Sequence, residues 1–98
     1  MKPLYVVIRG RGTAWKQRLP LEGQEAWHLH AAFMDALVDE GFVVLGEPME
    51  DTGDALLVIR AETPAEILEK LQADPWTRLG LLHTVRVAPW TLRLGALP

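Results

Sequence analysis

A histidine and an aspartate are the side chains of this sequence best placed for chemistry. His30 lies in segment 27–38, whose large apolar residues recur at helical spacing. The apolar face comprises Trp27, Ala31, Met34, Leu37 and Val38. His30 falls on that face, where a half-buried imidazole needs a partner and exchanges protons near neutral pH. Asp74, in Asp74-Pro75-Trp76, is the acid in a comparably rigid setting, so we predict a catalytic His30/Asp74 pair.

In this pair Asp74 would accept a hydrogen bond from one ring nitrogen of His30 and fix its tautomer. The other nitrogen would then remove a proton from an acidic carbon or a hydroxyl group of a small substrate. Two structural alternatives remain open. His30 could be a core histidine bonded to a carbonyl group, and Asp74 could only cap the turn before Pro75.

Composition argues against several other chemistries. The chain of 98 residues contains no cysteine, serine or asparagine, which excludes disulfides, thiolate metal sites and serine or cysteine nucleophiles. His28 and His30 point about 200° apart on a helix, so we expect no metal site. Gly10-x-Gly12 lacks the third glycine of a dinucleotide fingerprint, and we expect no cofactor.

The pattern of the chain predicts one α+β domain over residues 1–98. We expect the order β-α-β-β-α-β, with strands at 4–9, 42–45, 55–60 and 82–87 and helices at 24–40 and from Thr63 to before Asp74. A hairpin and right-handed crossovers give the ferredoxin-like split sheet, with two helices on one face and antiparallel strand order 4-1-3-2. The tail after residue 88 could add an edge strand or pack on a neighbour.

This topology gathers several residues at one end of the sheet. His30, Asp74, Arg9, Pro48 and the loop 10–24 should converge there, beneath a loop long enough to be a lid or only a connector. Arg9 or Arg78 could hold an anionic group, although a solvated surface arginine is the simpler expectation for each. Trp15, Trp27 and Trp76 could line an apolar pocket, with core packing the default for Trp27. We predict substrate contacts from Arg9, Trp15, Pro48 and Trp76.

The face of the sheet opposite the helices should also be covered. Strands one and three are apolar on both sides, as in Val6 and Val7 or Leu56 and Leu57, whereas a sheet with one wet face alternates. We therefore expect a homodimer through the helix-free face, giving a dimeric α+β barrel. The alternative is that the long loop and the tail cover this face within one chain.

Six segments form a further pattern that spans nearly the whole chain. They are HAAFM at 30–34, Gly41, VVLGEP at 43–48, DPW at 74–76, Gly80-Leu81 and VAPW at 87–90. On these residues the chain resembles the YciI-like (YCII-related) proteins of the dimeric α+β barrel group. The resemblance implies an active-site pair at His30 and Asp74. Glu47 departs from the family, where many members have a glycine, and either narrows the pocket or adds a carboxylate.

The resemblance implies, without fixing a substrate, a lyase, isomerase or dehydrohalogenase-like step on a small organic molecule. The alternative is a non-catalytic module that binds a small ligand in the same pocket, or a purely structural protein. The net charge of −3 and the lack of a basic run argue against nucleic-acid binding. No apolar stretch is long enough for a membrane span or a signal sequence, so we expect a cytoplasmic protein.

Overall fold

The computed structural model describes residues 2–97 and contains a four-stranded antiparallel sheet and three helices. The strands are β1 (Leu4–Arg11), β2 (Val43–Pro48), β3 (Ala55–Arg60) and β4 (Leu82–Trp90). The helices are α1 (Trp27–Asp39), α2 (Pro64–Gln72) and the single turn α3 (Pro75–Arg78), with a 3₁₀ turn at Leu21–Gly23. Of the predicted domain 1–98, Met1 and Pro98 lie outside the described residues.

The strands are ordered β2-β3-β1-β4, and every neighbouring pair is antiparallel. This is the order 4-1-3-2 that the sequence predicts. β4 is longer than expected because Pro89 and Trp90 continue the ladder opposite Tyr5 and Leu4. The tail after Trp90 therefore adds no separate strand among the described residues, and it leaves Leu94 exposed.

The hydrophobic core lies between the sheet and the helices. Alternate residues of β1, Tyr5 and Val7, point into it and are buried together with Leu57 and Ile59 of β3. The remaining buried members are Leu37, Phe42, Val43, Ala61, Ile67 and Leu71. Because successive side chains of a strand alternate between faces, Val6 and Ile8 point to the side without helices.

Helix α1 begins three residues later than predicted. Gln24 does not enter the helix because its buried side-chain amide bonds the backbone of Lys16 and Leu19 in the preceding loop. Ala26 then takes the left-handed conformation with φ of 59°, which also prevents an earlier start. At the other end Gly41 terminates the helix with φ of 81°, as predicted. Val38 was assigned to the apolar face but is exposed, since the helix turns that position toward solvent.

The loop between β1 and α1 is anchored at both of its ends. Gly12 donates from its backbone N–H to the Leu81 carbonyl, and Ala14 donates to the Gly80 carbonyl. A Cβ atom at Gly12 would lie 2.1 Å from the Gly80 oxygen, so only glycine permits this close approach. Gln24 fixes the other end, which makes the segment a bonded connector across the site end of the sheet.

The face of the sheet without helices is apolar and partly open in the single chain. The strand register aligns Leu45, Val58, Val6 and Ala88 across all four strands on this side. Among large apolar residues here, Leu45 and Val85 are 44% and 54% exposed. Val58 in the centre of the face is only 3% exposed, so within residues 2–97 the uncovered apolar surface lies toward β2 and β4. No helix in this part of the chain has the length and apolar character needed to cross a membrane.

Candidate active site

The two residues selected from the sequence are in direct contact. The His30 Nδ1 atom lies 2.9 Å from Asp74 Oδ1 and 3.0 Å from Asp74 Oδ2. His30 comes from the first turn of α1, and Asp74 precedes α3, so the contact joins residues 44 positions apart. A carboxylate can only accept hydrogen bonds, so the proton in this contact belongs to Nδ1. The lone pair of the neutral imidazole is then on Nε2.

Asp74 is itself fixed by its local backbone. Its carboxylate accepts a hydrogen bond from the Trp76 backbone N–H at 2.9 Å, which caps the first turn of α3. Pro75 at the first helical position favours this geometry because its ring sets φ. The capping role and the contact with His30 are therefore compatible, and the aspartate is 0% exposed.

A tryptophan fixes the plane of the His30 ring. The imidazole is stacked on the Trp76 indole, with 3.9 Å between ring centroids and an interplanar angle of 5°. Trp76 is buried, and its Nε1 donates to the Glu25 carbonyl at 2.6 Å. Glu25 directly precedes the strained Ala26, so the indole also stabilises the backbone where α1 begins. His30 therefore has a stacked face and a bonded edge, which leaves little freedom for the ring to rotate.

Arg9 is the third polar residue of the site. It is 3% exposed, and its Nη2 atom lies 3.6 Å from Asp74 Oδ2. Nη1 donates to Thr84 Oγ1 at 2.8 Å, and Nη2 donates to Thr77 Oγ1 at 2.5 Å. Burial lowers the pKa of the Arg9 guanidinium below its usual value, while the nearby Asp74 carboxylate opposes that shift. The expectation of a solvated Arg9 was wrong, because the residue points into the helix-covered side of the sheet.

A cavity of about 450 Å³ adjoins the pair. Its wall includes His30, Asp74 and Arg9, and the rest is largely apolar. The other lining residues are Leu21, Trp27, Ala31, Met34, Asp35, Gly46, Glu47, Pro48, Ala55, Leu57 and Leu82. No group within residues 2–97 hydrogen-bonds His30 Nε2, which leaves that atom free to meet a molecule in the cavity.

The predicted substrate contacts divide into two pairs. Arg9 and Pro48 line the cavity, as the topology predicts. Trp76 and Trp15 do not, because Trp76 lies behind the histidine and Trp15 packs edge-on against Trp76 with ring centroids 5.5 Å apart. Trp27, for which core packing was the default, does line the cavity. Arg78 is exposed on α3 and is absent from the wall.

Sequence reasoning missed the two threonines that hold Arg9. Thr77 follows Asp74 by three residues, a spacing that places both near one helical turn. Thr84 faces Arg9 only because the β1–β4 register shifts between Ile8 and Arg9. The first threonine carried a local signal in the sequence, whereas the second depended on a bulge that the alternating pattern does not encode.

Catalytic chemistry at this site would rest on the imidazole. In the part of the chain that the structure describes, no three His, Asp, Glu or Cys side chains group closely enough to hold a metal ion. His28, two residues before His30, is exposed. The geometry combines a fixed imidazole, a buried carboxylate and an apolar cavity, the arrangement that general acid–base catalysis requires.

We compared the chain with protein-family models, with curated proteins and with solved structures, and none of the three comparisons gave a match. The resemblance to the YciI-like proteins therefore stays a prediction based on the residues themselves.

Proposed function

We propose that this protein is a small acid–base enzyme in which His30 removes a proton from an apolar organic substrate. The observation that carries the proposal is the contact between His30 Nδ1 and Asp74 at the wall of a cavity, with Nε2 unbonded. A histidine used only for packing would instead have both nitrogens bonded or its ring enclosed. The cavity volume suits a molecule of one or two rings.

The proposed step begins with the substrate positioned so that an acidic C–H or O–H group faces His30 Nε2. The imidazole accepts this proton and becomes cationic, and the adjacent Asp74 carboxylate stabilises that charge. In an elimination, the C–H electron pair forms a double bond as a leaving group departs from the neighbouring carbon with its own electrons. In an isomerisation, the proton returns to a different atom. Both reaction classes use the same base and need no nucleophile.

We also propose that the domain is a ferredoxin-like split sheet that forms a YciI-like homodimeric barrel through its helix-free face. The support is the exposure of three large apolar residues on this face, Leu45 of β2 and Val85 and Trp90 of β4. A second copy of the same sheet would bury this surface on both partners at once. The active site lies on the opposite, helix-covered side, so each chain would contribute a complete His30/Asp74 pair.

Hydrogen–deuterium exchange tests the base directly, without knowledge of the full reaction. Small ketones, lactones and halogenated cyclic alcohols are incubated with the protein in D₂O, and loss of the acidic C–H signal is followed by proton NMR. We expect the wild type to accelerate exchange for at least one of these compounds. His30→Gln should lower the acceleration by about 100-fold or more, which is the usual effect of losing a general base.

His83→Gln is the matched control because His83 is exposed on β4 and absent from the cavity wall. This variant should exchange substrate protons as fast as the wild type. Equal rates in the His30 and His83 variants would refute the proposed base. Tight binding of a compound with no exchange in the wild type would favour the non-catalytic binding module instead.

A further inference from the structure

We propose that Arg9 is the fixed counter-ion of Asp74 and does not anchor an anionic substrate, so that the cavity selects small apolar molecules without negative charge. Arg9 would then be a positioning residue that acts through Asp74 on the tautomer of His30. This inference rests on the proposed function, whose base it arranges, and it adds a substrate class.

The contacts of the guanidinium support the assignment. Arg9 lies on the cavity wall, but both of its terminal nitrogens are already bonded, to Thr84 and to Thr77. Thr77 is held in turn, since its hydroxyl donates to the Leu71 carbonyl at 2.8 Å. An arginine that captures a carboxylate normally offers its paired N–H groups to both oxygens. Here one N–H of each terminal nitrogen is bonded to a hydroxyl of the protein, and Nη2 also faces the Asp74 carboxylate.

The charge balance points the same way. The positive charge of Arg9 lies 3.6 Å from Asp74, which is fully buried, so each ion compensates the other where water cannot. Within residues 2–97, Arg9 is the only lysine or arginine on the cavity wall, and the other charged residues there, Asp35 and Glu47, are acidic. A carboxylate entering the cavity would lose water and find no free cation.

The same compensation determines which nitrogen of His30 acts as the base. Asp74 is the counter-ion of Arg9 and, as a carboxylate, can only accept a hydrogen bond, so the imidazole keeps its proton on Nδ1. Without the guanidinium, the fully buried Asp74 would have no counter-ion. A protonated Asp74 could donate to Nδ1, which would place the proton of the neutral ring on Nε2 and remove the base from the cavity.

Two matched probes test the substrate class in the unmodified protein. Benzyl alcohol and benzoate share size and shape, and their binding is followed by NMR titration of the Trp27 indole N–H signal. We expect benzyl alcohol to bind at least about tenfold more tightly than benzoate, since an unpaired carboxylate loses its hydration. Equal or tighter binding of benzoate would overturn the proposal, and so would the failure of both probes to bind.

Ring ¹⁵N shifts of His30, measured where the imidazole is neutral, test the positioning role. The wild type and Arg9→Lys, which keeps the charge, should place the proton on Nδ1. Arg9→Gln should shift a substantial share of it to Nε2, while Arg78→Gln, at an exposed arginine, should not. An unchanged tautomer in a folded Arg9→Gln variant would refute the positioning role. If that variant does not fold, the comparison of benzyl alcohol with benzoate still tests the proposed substrate class, because it uses the unmodified protein.

The outcomes separate this inference from the proposed function. If exchange of substrate protons does not depend on His30 while the probe preference and the tautomer behave as stated, the acid–base function fails and the role of Arg9 stands. If exchange depends on His30 but benzoate binds more tightly than benzyl alcohol, the function stands and Arg9 is an anion anchor.

Discussion

The two faces of β1 differ in how deeply their side chains are buried. On the helix-covered face, Tyr5, Val7 and Arg9 are buried, and this face includes the positive charge of the site. On the other face, Val6 and Ile8 are apolar but only partly buried in the single chain. Both rows come from one strand of eight residues, so the difference is due to what packs against them.

The comparison shows that the buried face of the sheet contains the polar site, whereas large apolar side chains are exposed on the other face. The helix-covered face buries an ion pair whose Arg9 bonds Thr77 of α3 and Thr84 of β4. None of the buried side-chain nitrogen or oxygen atoms within residues 2–97 lacks a hydrogen bond. The helix-free face combines exposed apolar side chains such as Leu45 and Val85 with the charged residues Arg60 and Arg86. These features support the proposed reaction on the first face and the proposed association through the second.

Removal of Asp74 should produce the largest effect. Asp74→Ala takes away the partner of Arg9 and His30 and the cap of α3, leaving a buried positive charge uncompensated. We expect a loss of about 3–5 kcal/mol in the free energy of unfolding. Urea denaturation measures this loss. Glu47→Ala, at an exposed acid of β2, should change the free energy of unfolding by less than about 0.5 kcal/mol. Similar losses in both variants would refute the stabilising role of the buried Asp74 contacts.

Charges on the helix-free face should abolish association without unfolding the chain. The double variant Leu45→Lys/Val85→Lys places two cations on exposed apolar positions, so a dimer through this face would lose about 100-fold or more in affinity. Sedimentation equilibrium measures the oligomeric state. Leu29→Lys, at an exposed apolar position of α1, is the control and should leave the dimer intact. A monomeric wild type would exclude the proposed interface.

The two histidines offer a smaller, paired comparison of stability. His30→Gln removes the ring that stacks on Trp76 and its hydrogen bond to a charged group, and we expect a loss of about 1.5–3 kcal/mol. His83→Gln, at an exposed position of β4, should keep the free energy of unfolding within about 0.5 kcal/mol of the wild type. Chemical denaturation of both variants measures the difference. Comparable stabilities would mean that the buried contact contributes nothing measurable to folding.

Relief of backbone strain should give the smallest effect, and it has the opposite sign. Ala26 holds φ of 59° at the start of α1, a conformation that costs a residue with a Cβ atom about 1–2 kcal/mol. Ala26→Gly should therefore raise the free energy of unfolding by up to about 1 kcal/mol, after the greater flexibility of unfolded glycine is subtracted. The melting temperature reports the change. Ala32→Gly, at an exposed position inside α1, should lower the melting temperature instead.

Much of the fold was predictable from local patterns. Thr63, Pro64 and Glu66 form the helix start that their types indicate, with Thr63 accepting from the Glu66 N–H and Glu66 from the Glu62 N–H. The strand order followed from the number and spacing of elements. The start of α1 was predicted three residues too early, because the side chain of Gln24 bonds the preceding loop.

The candidate site was predictable in part. The positions of His30 and Asp74 at one end of the sheet followed from element order alone. The burial of Arg9 and the absence of Trp15 and Trp76 from the cavity wall did not follow from element order. A large side chain can either line a cavity or pack behind the residues that line it. That choice depends on packing between α1 and α3, which no local pattern encodes.

The sequence by itself determined the order of strands and helices. It also determined the end of the sheet at which the polar residues would meet. The tertiary structure alone decided which of those residues touch. A bulge at Val85 shows the reason: strict alternation along β4 would turn Val85 toward the helices and Thr84 away from them. The register shift reverses both, placing the Thr84 hydroxyl against Arg9 and leaving Val85 exposed. A register is a property of two strands together, so neither strand's residues specify it alone.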